Sequence, residues 1–304
     1  MRLTGLIAAT FTPLKEDGEV NFDAIPEMIE RLVEQDIAGI YICGSTGEGH
    51  SLSTSDRKKI AEKSLEANNG RMKIIINVGH NSISDSCELA RHARDIKVDA
   101  ISAAPPVYYK ISSEAQLIRT FEKITNEVPE VPFYYYHIPA LTGFNFDMEK
   151  FLTLSSKKLP SLCGIKFTSP DIHEYQNCLN LSKDNFQILY GKDEMLLSGL
   201  VVGAESAVGS TYNFMAPLYH SLIREFREGN LKKAAQLQLE AVKIIKAFLK
   251  YDSFPAQKAM MKMIGIDCGP VALPLLSLTP EEEDDLRQEL EKTTFFDWAP
   301  VVKK

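Results

Sequence analysis

Leu162-Cys163-Gly164-Ile165-Lys166-Phe167-Thr168 is an apolar stretch with a single lysine inside it. Successive side chains of a strand point to opposite faces, so Gly164, Lys166 and Thr168 share one face while Ile165 and Phe167 share the other. If Ile165 and Phe167 meet a layer of helices, Lys166 points into whatever the sheet encloses. Polar and apolar residues do not alternate here, which is the pattern of a parallel strand covered on both sides. Seven further runs of this kind are expected at residues 3–10, 37–43, 73–78, 100–104, 132–137, 187–190 and 205–209. Segments of helical spacing lie between them, such as Phe22, Ile25, Ile29, Leu32 and Val33 after the candidate cap Asn21. Ser113 precedes a helix through Leu117, Ile118 and Phe121, and Ser169-Pro170 offers a cap followed by proline in the first turn. Eight strand and helix units predict an α/β fold of the (β/α)8 TIM barrel type. An open doubly wound sheet would share the alternation, but eight units together with chemistry at the strand ends favour closure.

Beyond the eighth strand the periodicity predicts helices over 216–228, 231–250 and 255–264, and Thr279-Pro280-Glu281-Glu282 reads as a capping box opening a last acidic helix. No linker, low-complexity tract or independent second domain is apparent along the chain. The expectation is one domain over 1–304, with the barrel at about 1–228 and a C-terminal helical extension at about 229–304 packed on the barrel or against another subunit.

Composition narrows the function classes. Of 304 residues 44% are hydrophobic and 25% charged, which excludes disorder, collagen and coiled coil for the whole chain. A net charge of −7 gives nucleic acid and anionic membranes no general attraction, so neither is expected as a partner. Five cysteines, Cys43, Cys87, Cys163, Cys178 and Cys268, are widely spaced with no C-x-x-C pair, which argues against a disulfide framework or structural zinc and fits a reducing cytoplasm. The apolar opening residues 3–11 are broken by Gly5 and followed by a loop-like Thr12-Pro13, so they read as a strand rather than a signal peptide. No segment approaches the roughly 20 apolar residues of a membrane helix.

Chemistry is expected at the carboxyl ends of barrel strands. Lys166 is either a charged residue snorkelling from a strand end or a buried amine. Burial would favour the neutral form that can attack a ketone. In Phe133-Tyr134-Tyr135-Tyr136-His137, Tyr136 shares a face with Tyr134 and could relay protons, or it could simply fill the core. Cys43-Gly44-Ser45-Thr46-Gly47-Glu48-Gly49 is a glycine-rich turn suited to a carboxylate; it lacks the lysine of a P-loop and the spacing of a dinucleotide fingerprint, and a plain tight turn is the alternative. Tyr190-Gly191-Lys192-Asp193-Glu194 and Gly209-Ser210-Thr211-Tyr212-Asn213 could bind a polyol, although Asp193 and Glu194 also suit the first turn of a helix. The six histidines show no metal-binding spacing, and no G-x-S-x-G elbow is present.

Together, Gly44-Ser45-Thr46-Gly47-Glu48, Tyr136, Gly164-Ile165-Lys166-Phe167-Thr168 and Gly209-Ser210-Thr211-Tyr212-Asn213 resemble the N-acetylneuraminate lyases, the sialic acid aldolases, over nearly the whole chain. These belong to a superfamily of pyruvate-dependent class I aldolases that includes dihydrodipicolinate synthase. Ile138-Pro139-Ala140-Leu141 is the lyase-like part, because the synthases place an arginine in this stretch. The resemblance implies a homotetramer of (β/α)8 barrels that cleaves N-acetylneuraminate to N-acetylmannosamine and pyruvate without metal or cofactor. It implies Lys166 as the Schiff-base lysine, Tyr136 as the proton relay, and Ser45 and Thr46 as the pyruvate-carboxylate site. Thr168, Gly191, Asp193, Glu194 and Ser210 match positions that contact the rest of the sugar acid. Lys192 and His137 depart from residues common in the family, and either Tyr108 or Tyr109 matches a tyrosine that reaches a neighbouring subunit's site. The alternatives are a pyruvate-dependent aldolase for another sugar acid or a semialdehyde, and a barrel that binds a sialic-acid-like ligand without turning it over.

Overall fold

The computed structural model describes residues 2–181 and 186–299. Eight parallel strands, β1 (Gly5–Ala9), β2 (Gly39–Ile42), β3 (Lys73–Asn77), β4 (Ala100–Ala103), β5 (Phe133–His137), β6 (Leu162–Phe167), β7 (Gln187–Tyr190) and β8 (Ser206–Gly209), pair in chain order. The barrel closes where β8 returns to β1, with Leu6 opposite Ala207 and Ile7 opposite Val208. This is the (β/α)8 TIM barrel, with further helices after β8.

The period of two divides the buried residues into two layers. Ile7, Ala9, Tyr41, Ile75, Tyr134, Tyr136, Leu189 and Val208 form the interior of the barrel. Their neighbours Leu6, Ala8, Ile40, Ile42, Ile74, Ile76, Tyr135, Ile165 and Phe167 pack outward against the helices. On that outer side Phe121 lies with its ring centroid 5.2 Å from Tyr135 and 6.4 Å from Phe151. Burying each such ring contributes on the order of 1.5 to 3 kcal/mol. Lys166 therefore faces inward because Ile165 and Phe167 are claimed by the helical layer.

Two expected helix starts differ. Asn21 makes no capping hydrogen bond: residues Phe22–Ala24 form a 3-10 turn, and the helix proper is Ile25–Glu34 with Pro26 in its first turn, where a missing N–H costs nothing. The helix after β6 begins at Ile172, and it is Asp171 Oδ1, not Ser169, that accepts from the Glu174 N–H. Ser113 does cap its helix, and Thr279 and Glu282 form the reciprocal capping box.

After β8 come helices Tyr212–Arg227, Leu231–Phe248, Ser253–Met263, Pro280–Glu291 and Phe295–Trp298. The first bends at Met215, just before Pro217, whose ring cannot continue a regular turn. Leu231–Phe248 buries Ala234, Leu237, Ala241, Ile244, Ile245 and Phe248, a stripe at helical spacing that packs on Tyr212–Arg227. Among the described residues no helix is long and apolar enough to cross a membrane.

Candidate active site

Lys166 sits in the interior of the barrel near the carboxyl end of β6, directly opposite Tyr136 in the β5–β6 register. Its Nζ lies 3.9 Å from the centroid of the Tyr136 ring and 3.9 Å from that of Tyr41. The lysine is only 4% exposed. Two forces oppose each other here. Burial strips the ammonium of water, while the ring faces and the nearby Asp193 carboxylate favour its charge. Burial wins, and the Lys166 amine is lowered to about 7 from an ordinary 10.5. Near neutrality a large share of it is an unprotonated nucleophile.

The Tyr136 hydroxyl lies 3.3 Å from the Ser45 hydroxyl. Burial pushes this phenol up to about 12, partly countered by the Ser45 hydrogen bond, so it keeps its proton at neutral pH and can act as a relay but not as a resident phenolate. Ser45 and Thr46 are carried by the turn after β2. That turn is pinned from several sides: the Thr12 hydroxyl donates to Gly47 O at 2.7 Å, and Asn77 Nδ2 donates to Cys43 O at 2.9 Å. A Cβ on Gly49 would fall 2.0 Å from Cys43 O, so the loop can close this tightly only with glycine there.

The ends of β7 and β8 complete the rim. Asp193 begins the 3-10 turn Asp193–Met195, as a helix-start carboxylate would, but its side chain turns inward and accepts from Thr211 N at 3.0 Å and Thr211 Oγ1 at 2.6 Å. Burial, then the neighbouring Glu194 charge, raises it to about 6. A Cβ on Gly209 would lie 2.4 Å from Asp193 Oδ1, which is why glycine stands there. Glu194 pairs with Lys192 at 2.6 Å. Thr168 Oγ1 is buried with no hydrogen-bond partner among the described residues, an oxygen left available to a ligand.

Lys166, Tyr136, Ser45, Thr46, Thr168, Gly191, Asp193, Glu194 and Ser210 all line one cavity of about 310 Å³. Lys192, part of the Tyr190–Glu194 stretch read from the sequence, sits at the rim. Other walls were not singled out from the sequence: Tyr41 lies against the lysine, and Phe248, Leu249, Phe254 and Gln257 come from the helices after β8. Tyr41 could have been found from strand alternation, which puts it on the inner face; nothing in helix periodicity tells which partner a buried face meets. Tyr108 and Tyr109 are 78% and 83% exposed and do not line this cavity. A cleft of about 360 Å³ at the amino ends of the strands contains the Arg2–Glu205 ion pair and the buried Ser206, but no lysine, cysteine or histidine among its described lining residues. Among the described residues no group of three or more His, Cys, Asp or Glu is placed to hold a metal ion.

The model of the dihydrodipicolinate synthetase family matches residues 2–293. The mouse N-acetylneuraminate lyase is 37% identical over 310 residues, spanning 100% of this chain and 96% of its own. N-acetylneuraminate lyase A of Xenopus laevis is 38% identical, spanning 96% of this chain and 97% of its own. Among solved structures, the Proteus mirabilis N-acetylneuraminate lyase superposes with a TM-score of 0.94 at 39% identity, over 97% of this chain and 100% of its own.

Proposed function

The chain belongs to the dihydrodipicolinate synthetase family, and from that premise we propose that it is an N-acetylneuraminate lyase, a class I aldolase that cleaves the open-chain sugar acid reversibly to N-acetylmannosamine and pyruvate. Support comes from one observation above the rest: a fully buried lysine lowered to about 7, facing a phenol at the carboxyl face of the barrel. The sugar-acid substrate is favoured by full-length similarity to lyases at 37% and 38% identity. It also agrees with Leu141, which offers no cation for a second carboxylate.

Lys166 Nζ attacks the C2 ketone, and loss of water gives a protonated imine. The bond between C3 and C4 then breaks. Its electrons flow into the imine to form an enamine, while the C4 hydroxyl passes its proton to Tyr136 as that phenol passes its own to the substrate's carboxylate, and C4 becomes the aldehyde of N-acetylmannosamine. Protonation of the enamine at C3 and addition of water release pyruvate and return the free amine. Ser45 and Thr46 hold the carboxylate, and Ser45 orients the Tyr136 hydroxyl. Thr168, Gly191, Asp193, Glu194 and Ser210 contact the polyol, with Asp193 already committed to Thr211 through one oxygen. The scheme needs no metal or organic cofactor, because the protonated imine is itself the electron sink. Assembly as a homotetramer in the cytoplasm is part of the same proposal.

Borohydride added with pyruvate should reduce the imine and leave a stable adduct that peptide mass mapping places on Lys166. Pyruvate should also be released from N-acetylneuraminate faster than from other 2-oxo sugar acids. An adduct elsewhere would overturn the mechanism, and a faster alternative sugar acid would overturn the substrate.

A further inference from the structure

Lys192 stands between Gly191 and Asp193 at the end of β7, yet its side chain does not run out into solvent. It is 26% exposed, lies on the rim of the Lys166 cavity, and holds its Nζ 2.6 Å from Glu194 Oε1. The same cavity is lined by Phe248, Leu249 and Phe254, and by Gln257, from the helices after β8. Without Lys192 that space would contain two adjoining carboxylates, Asp193 and Glu194, and Glu194 already works against ionisation of its neighbour. A lone carboxylate in a cavity partly lined by apolar side chains gives up hydration without compensation and would turn toward water. Paired with an ammonium it can stay where it is, with one oxygen engaged by Lys192 and the other able to accept from hydroxyl groups.

We propose that Lys192 is a positioning residue that sets specificity for the polyol half of the substrate by holding the Glu194 carboxylate over the cavity. The inference rests on the sugar-acid reading given above and deepens it. Its chemical content is narrow: Lys192 acts through Glu194, on neutral hydroxyl-rich chains, and not on the pyruvate half, whose carboxylate and ketone sit at Ser45, Thr46 and Lys166. The pair is partly exposed, so its effect is expected in substrate affinity and not in the stability of the fold.

The test is steady-state cleavage of N-acetylneuraminate by wild type, Lys192→Met, Lys192→Arg, Glu194→Gln and the Lys192→Met/Glu194→Gln double variant, with borohydride trapping of pyruvate on each. Lys192→Met should raise KM about tenfold, the scale of one lost charge-assisted hydrogen bond, with kcat within about twofold. Lys192→Arg should restore KM, and the double variant should be no worse than Glu194→Gln alone. Trapping of pyruvate should be the same in all five proteins. A wild-type KM in Lys192→Met, or a double variant that loses the product of the two single losses, would overturn the proposal. So would a fall in pyruvate trapping that matches the fall in sugar-acid turnover. Wild type that traps pyruvate on Lys166 but does not cleave N-acetylneuraminate would overturn the substrate reading, and this inference with it, by a result distinct from the others.

Discussion

At the scale of single residues, one lysine sets both the reactivity and the cost of the site. In the proposed mechanism the amine of Lys166 attacks only when unprotonated, and its folded value is about 7. The kcat/KM for sugar-acid cleavage should therefore fall roughly tenfold for each unit below pH 7 and level off above about pH 8, in a profile measured across pH 5 to 9. A profile flat down to pH 5 would mean that the amine is already neutral there or is not the nucleophile. The same burial makes the lysine a liability to stability. Between about pH 7 and 10.5 the unfolded lysine binds more protons than the folded one, so the penalty that Lys166 places on wild-type stability should shrink as pH rises across that window. Lys166→Met removes the penalty. The inactive variant should melt roughly 5 °C or more above wild type at pH 7, with the gap narrowing by pH 9.5. A variant that melts lower at both pH values would show that the lysine's packing matters more than its desolvation.

At the scale of elements, the turn after β2 is tied to the far end of the chain. Glu48 and Lys258 form an ion pair 2.7 Å long whose side chains are 2% and 3% exposed. Lys258 Nζ also donates to Pro270 O, and the Glu48 carboxylate accepts from Ala272 N–H, so the pair clamps the segment after helix Ser253–Met263 onto the turn that carries Ser45 and Thr46. Lys258→Met leaves Glu48 buried and unpaired, and should cost about 3 to 5 kcal/mol in urea denaturation. The Glu48→Gln/Lys258→Met double variant should recover much of that loss, because neither charge is then stranded. Equal losses in single and double variants would place the effect in packing. This pair also marks where sequence reading ends. Strand alternation was enough to put Lys166, Tyr136 and Thr168 on the inner face, and glycine-rich strand ends were enough to pick out the rim. Local spacing could not reveal that Glu48 meets a lysine 210 residues away, or that Phe248 and Phe254 wall the cavity. A helical stripe identifies a buried face and carries no information about its partner. The misassigned caps at Asn21 and Ser169 have a smaller cause, since several side chains in each turn could have served and tertiary packing selected the start.

At the scale of the whole molecule, the surface is unevenly apolar. Tyr108, Leu141, Leu273 and Leu276 are 78%, 57%, 77% and 74% exposed, and Tyr109 beside Tyr108 reaches 83%. Val107, Leu141, Pro274 and Leu275 border one apolar groove of about 290 Å³ that also touches Ser45 and Ile138, and Tyr108, Leu273 and Leu276 are chain neighbours of these lining residues next to the site. Soluble monomers seldom leave a contiguous apolar patch of this kind open, and closed symmetric assembly is the usual way of covering one. A net charge of −7 keeps copies apart at long range, so association has to come from apolar contact at this face. The expected state is a homotetramer of about four times 34.0 kDa, measured by light scattering on a sizing column at micromolar concentration. Leu273→Asp with Leu276→Asp should shift it toward smaller species, because each buried carboxylate would lack a partner. If this face holds subunits together, high salt should strengthen wild-type association by screening the net charge. Wild type that elutes as a monomer across that range, with or without salt, would show that the patch is covered by something other than a second copy of the chain.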